Sequence, residues 1–162
     1  MNIIKHLFDG VGISYDELEF ELYPQTDTEK FWSEFINFNS KNNGKYSNIS
    51  PSRGTWLAKI IDGIDVNVVV GAGICRVELY IGLQESNENK RKYDEIFSRR
   101  EEIEIAIGES LSWQRLDTCS ASKVSISRDM DYTDEKQWNN IFNFFTTYSD
   151  KFFKVFGQII KQ

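Results

Sequence analysis

The chain has 162 residues, of which 40% are apolar and 14% aromatic, with twelve Phe, seven Tyr and four Trp. That supplies enough apolar surface for one domain with its own core and excludes a disordered chain. A net charge of −6 argues against a general nucleic-acid coat, because phosphate binding rests on Lys and Arg, and leaves room for a local basic patch.

Residues 1–25 read as an N-terminal extension, with a short helix on Ile3, Ile4, Leu7 and Phe8 broken by Asp9-Gly10 and Gly12. Its apolar run is too short for a signal peptide. Leu18, Phe20 and Leu22 then alternate with Glu17, Glu19 and Glu21, the pattern of a half-buried strand, and Pro24 ends it. The single α+β domain is expected over 26–162. Thr26-Asp27-Thr28-Glu29 fits a capping box, and Phe31, Trp32, Phe35, Ile36 and Phe38 give the helix behind it an apolar face. Residues 39–54, rich in Asn and Ser, form a long loop, a feature that is either functional or mobile.

Three strands follow. Asp62-Gly63 between 56–61 and 64–70 favours a two-residue hairpin turn, which sets Ile61 against Ile64, Lys59 against Val66 and Leu57 against Val68. A two-residue turn at Ala72-Gly73 then sets Val68 against Val77, Val66 against Leu79 and Val70 against Cys75. All of these, with Ile81, share one side; a three-residue turn would drive Arg76 into the core. The opposite side carries Asp65, Asn67, Arg76, Glu78 and Tyr80, flanked by Trp56, Ala58 and Val69. This is the candidate binding face. Its ordinary reading is a solvated surface with a cross-strand ion pair.

From about Asn87 to Ile107 the period is helical, with Tyr93, Ile96, Phe97, Arg100, Ile103 and Ile107 inward and Gly108 as the left-handed cap. Arg100 is expected to pair with Glu104. Lys90, Arg91, Lys92 and Arg99 lie on the most basic segment and are the candidate nucleic-acid contacts. Lys90 with Asp94 and Arg91 with Glu95 also stand at exposed ion-pair spacing. Leu111 and Trp113 mark a fourth strand, and Val124 and Ile126 a fifth. Thr133 is expected to cap a final helix reaching about Ile160, roughly 40 Å long. Its aromatics follow the helical period, but Phe144, Phe153 and Ile160 lie off the main stripe; core packing alone is the favoured account, with a bend, cover by another element or a homodimer contact through 134–160 as alternatives.

The expected architecture is therefore α+β, an antiparallel sheet of about five strands with helices packed on one face, in the order α-β-β-β-α-β-β-α. No stretch approaches a membrane span. Cys75 and Cys119 read as reduced thiols of a cytoplasmic protein. His6 is the single histidine, far in sequence from any partner for a catalytic relay, and no Cys/His spacing suits zinc. Gly71-Ala72-Gly73 lacks the rest of a phosphate loop. No catalytic residue, metal or cofactor is assigned.

From about Glu29 to Phe156 the order of signals resembles a bacterial family of domains of unknown function. The matching features are Phe31-Trp32, Trp56, Val77-Glu78-Leu79-Tyr80-Ile81, Asn89-Lys90 with Tyr93, Ile103-Glu104, Gly108, Leu111-x-Trp113, Trp138 and Phe156. Members often lie C-terminal to restriction-nuclease-like PD-(D/E)xK domains, so the resemblance implies a defence or DNA-processing setting. An upstream nuclease domain is not expected within 162 residues. The expected function is a non-enzymatic binding or accessory module with a protein partner. The alternatives are a divergent metal-dependent nuclease, in which Asp65 and Glu78 on neighbouring strands would hold Mg²⁺, and a self-associating structural protein. Tyr80 stands where the nuclease pattern has lysine.

Overall fold

The computed structural model describes residues 27–71 and 73–160. The expected N-terminal helix and strand, and the Thr26 cap, lie outside the described residues. The first helix, α1 (Asp27–Lys41), opens with Asp27 and Glu29 in its first turn, where acidic groups favour the helix dipole. It buries Phe31, Trp32 and Phe35. The expected long loop after it is tied to the core. Buried Asn39 accepts from Tyr46 N at 2.9 Å and donates to Thr146 Oγ1 at 3.0 Å, and Tyr46 Oη donates to Val66 O at 2.7 Å.

Strands β1 (Trp56–Ile61), β2 (Ile64–Val70) and β3 (Cys75–Ile81) form a meander; β4 (Ser112–Gln114) and β5 (Ser122–Arg128) complete an antiparallel sheet of order β1-β2-β3-β5-β4. The expected register holds residue by residue, from Ile61 against Ile64 to Val70 against Cys75. Asp62 and Gly63 both have positive φ, 52° and 77°, as the tight hairpin turn requires. One face buries Leu57, Val66, Val68, Val77, Leu79, Val124 and Ile126 under the helices.

The expected helix over 87–107 is two helices, α2 (Ser86–Phe97) and α3 (Arg100–Ile107). Ser98 Oγ donates to Glu95 O at 2.6 Å, and Arg99 N closes a tight turn onto Ile96 O at 3.0 Å. Arg99 leaves helical geometry at φ −109°, ψ 20°. Phe97, the last residue of α2, lies outside the inner stripe: it is 37% exposed, stacked on Tyr93 and edge-on to Trp113. Arg100 follows it outward and lies 4.8 Å over the Phe97 ring. The expected Arg100–Glu104 ion pair is replaced, because Glu104 Oε1 accepts from Leu111 N at 2.8 Å and Trp113 Nε1 at 2.9 Å. Those two bonds are the largest cause holding its carboxyl below the usual range; the Arg100 charge adds a smaller, longer-range attraction. Gly108 caps α3 as expected, at φ 91°.

The last helix, α4 (Trp138–Ile160), is preceded by a 3-10 turn over Glu135–Gln137. Asp134, not Thr133, supplies the cap by accepting from Lys136 N; Thr133 donates instead to Asp131 Oδ1. Phe144 and Phe153, off the main stripe, are both buried by this chain's own elements. Arg128 lies 5.3 Å over Phe144, and Tyr46 packs beside Phe153. None of the exposed large apolar residues among those described lies on α4.

Candidate functional site

Successive side chains of a strand point to opposite faces, so the alternation that buries Val66 and Val68 aims Asp65 and Asn67 at the other side. There Asp65 pairs with Tyr80 and Asn67 with Glu78 across β2–β3, and Ala58 pairs with Asn67 across β1–β2. The structure brings all five expected residues, Asp65, Asn67, Arg76, Glu78 and Tyr80, into one hollow of about 370 Å³ with Trp56, Ala58 and Val69. Gly82 makes room for the Tyr80 ring, since a Cβ there would lie 2.3 Å from it.

The face is not the solvated surface that the alternation suggests. Asp65, Asn67 and Glu78 are only 7%, 8% and 5% exposed, at the floor of a hollow rimmed by more open Trp56, Arg76 and Tyr80. The ion pair runs along one strand rather than across two: Arg76 Nε donates to Glu78 Oε2 at 2.8 Å. Asn67 Nδ2 donates to Glu78 Oε1 at 3.2 Å. Glu78 therefore has both oxygens engaged. Asp65 Oδ1 and Asn67 Oδ1 are buried and have no hydrogen-bond partner among the described residues. Burial, and then the Glu78 charge, push the Asp65 carboxyl up to about 6.

The basic segment is rearranged by the fold. Lys90 is buried, and its ammonium donates to Arg115 O at 2.5 Å, Leu116 O at 2.8 Å and Ala121 O at 2.7 Å, with Ser122 Oγ at 3.0 Å. The ammonium is thus committed to protein oxygens, and Asp94 pairs with Arg115 instead of Lys90. Asn89 beside it bonds Gln84 O and Ser120 O. The Asn89-Lys90 pair is thus an anchor for the chain from 115 to 122, where Leu116 adopts a positive φ of 55°. Charge alone could not mark Lys90 as internal; its place in the family pattern beside Asn89 was the available signal. Arg91 is paired with Glu88 and, as expected, with Glu95 at 3.3 Å, and Arg99 with Glu102. Lys92 is half-buried on the same helix. A second hollow of about 340 Å³ between α2 and the end of α4 is lined by Glu88, Arg91, Glu95 and Arg99, which are engaged in these pairs, and by Lys92.

Cys75 is buried, its Sγ facing Met130 O at 3.5 Å, and Cys119 is exposed; both are free thiols. Among the described residues no three His, Cys, Asp or Glu side chains are grouped to hold a metal ion. Lys59 lies on the Leu57 side of β1, away from Asp65 and Glu78. No described helix is long and apolar enough to cross a membrane.

Residues 28–160 match the family model described as Domain of unknown function (DUF4268). The chain belongs to this family. No curated protein and no solved structure matches it. The DUF4268 match covers α1 through α4, so both the sheet with its polar hollow and the Lys90 anchor fall inside the shared domain.

Proposed function

We propose that this DUF4268 domain is a non-enzymatic binding module whose ligand surface is the polar face of β1–β3. One observation carries the reading: two buried acceptors, Asp65 Oδ1 and Asn67 Oδ1, stand unpaired on the floor of an open hollow. Buried polar groups are nearly always satisfied, and each exception costs stability, so a pair of them in a concavity marks groups kept for a ligand. The central position of β2 and β3 in the sheet holds them in place. The engaged Glu78 carboxylate argues for recognition over metal-assisted cleavage, since its oxygens already receive N–H donors. A protein partner in a bacterial defence or DNA-processing setting is the context that the family resemblance supports.

The test is a fragment library screened against the labelled full chain by amide NMR. Hits are expected to shift the amides of Trp56, Asp65, Asn67 and Glu78 together. Hits that cluster elsewhere, above all along α2, would remove this face from the function.

A further inference from the structure

The floor of the hollow also constrains the charge and chemistry of what enters it. Resting on the reading of this face as a binding surface, we infer that it takes an organic cation bearing N–H donors, an alkylammonium or guanidinium group. The cation's charge sits against Asp65, and its donors bond Asp65 Oδ1 and Asn67 Oδ1.

The unpaired groups are both acceptors. A ligand that is itself only an acceptor would leave them orphaned, whereas an N–H donor satisfies them, and a charged donor does so most strongly. The charge count agrees. Two carboxylates, Asp65 and Glu78, face one guanidinium, Arg76, and that guanidinium is already committed to Glu78. One negative charge remains, and it lies on Asp65. Lys123, which pairs with Tyr80 on β5, is not part of the hollow's lining.

Size and rim favour an organic cation over a metal ion. A hard divalent ion seeks six or more oxygen ligands, and here the second carboxylate is occupied by Asn67 and Arg76 donors. The hollow of about 370 Å³ instead suits an alkyl-borne head group. Trp56, 54% exposed at its rim, and the partly open Tyr80 ring offer aromatic faces of the kind that attract cations.

The labelled full chain is titrated at pH 8 with agmatine, with putrescine, and with blocked glycine tripeptides carrying a central lysine or arginine. Tetramethylammonium serves as a cation without N–H donors, and Mg²⁺ and Mn²⁺ are added as competitors. The N–H cations are expected to bind at Asp65 and Asn67 about tenfold or more tighter than tetramethylammonium. Asp65→Asn is expected to weaken them about tenfold or more while the dispersed amide spectrum stays intact. Stronger binding of the peptides than of the free amines assigns the cation to a protein chain, and the reverse to a small molecule. Equal binding of tetramethylammonium, unchanged affinity in Asp65→Asn, or displacement of the amines by Mg²⁺ would overturn the inference. Neutral or anionic fragments on the face with no amine bound would overturn it while leaving the binding surface standing. A face that takes no compound of any charge removes both.

Discussion

Asn67 donates from Nδ2 to Glu78 Oε1 at 3.2 Å across the β2–β3 pair, while its own Oδ1 has no partner among the described residues. Glu78 collects a second donor from Arg76. The hydrogen bonds of the face thus go to one buried acid, while the other, Asp65, is buried with one oxygen left unpartnered. That unequal division sets the first prediction.

The Asp65 carboxyl titrates near 6 in the folded protein, above its ordinary value of 3.8, through burial and the neighbouring Glu78 charge. Glu78, Arg76 and Tyr80 face it from β3, and apolar Ile60 pairs with it from β1. The folded protein therefore holds this proton to higher pH than the unfolded chain does. The contribution is intact below about pH 4 and is lost as pH rises through 6, a loss of about 3 kcal/mol at most by pH 8. Asp65→Asn, uncharged throughout, is expected to be near neutral at pH 4 and stabilising by roughly 2 kcal/mol at pH 8. Urea unfolding at the two pH values checks the sign.

Lys90 is expected to be worth far more to stability than any other basic residue of α2. Lys90→Met keeps the stem but removes the ammonium's bonds to the carbonyls of Arg115, Leu116 and Ala121; Arg115 O keeps Ser122 Oγ and Leu116 O keeps Cys119 N as donors, and Ala121 O loses the donor it has here. The expected loss is about 3 kcal/mol or more. Arg91→Ala, which removes only surface pairs, should leave the urea midpoint nearly unchanged. Similar losses in both variants would show that the Lys90 ammonium is not internal.

Gly44 is required for space rather than for backbone freedom. A Cβ there would lie about 2.1 Å from the side chain of Asn39, which is itself held between Tyr46 N and Thr146 Oγ1. Gly44→Ala is expected to cost about 2 kcal/mol, and to loosen the loop by breaking one of those bonds. Faster amide exchange at Tyr46 is the direct readout.

The two thiols should separate cleanly. Burial, helped by the Asp131 charge, pushes the Cys75 thiol up to about 12, whereas Cys119 is exposed. A chromogenic thiol reagent at pH 8 should titrate one cysteine in the native protein and two in denaturant. Two fast thiols in the native state would place Cys75 at the surface.

Much of the sheet is readable from residue order. The Asp62-Gly63 dipeptide and the Val66/Val68 and Val77/Leu79 alternation are local signals, and together they specify the pairing that the strands adopt. The same alternation names the five residues of the polar face, because a register with one buried side leaves no freedom about the other. The break at Ser98–Arg99 is not readable in this way. The helical period runs straight through it, and the kink depends on a serine hydroxyl turning back to Glu95 O. Thr133 and Asp134 are both good caps by residue type, and the choice fell to Asp134 because Asp131 captures the threonine.

The sequence by itself determined which side chains share a face, because strand geometry has a period of two and an Asp-Gly turn permits one register. Only the tertiary structure decided what those faces are worth. Burial depends on elements distant in the chain: the segment from 115 to 122 turns Lys90 from a surface cation into an anchor. A polar sheet face becomes a hollow with a buried floor where the surroundings of β1–β3 strip water from Asp65 without giving its free oxygen a partner.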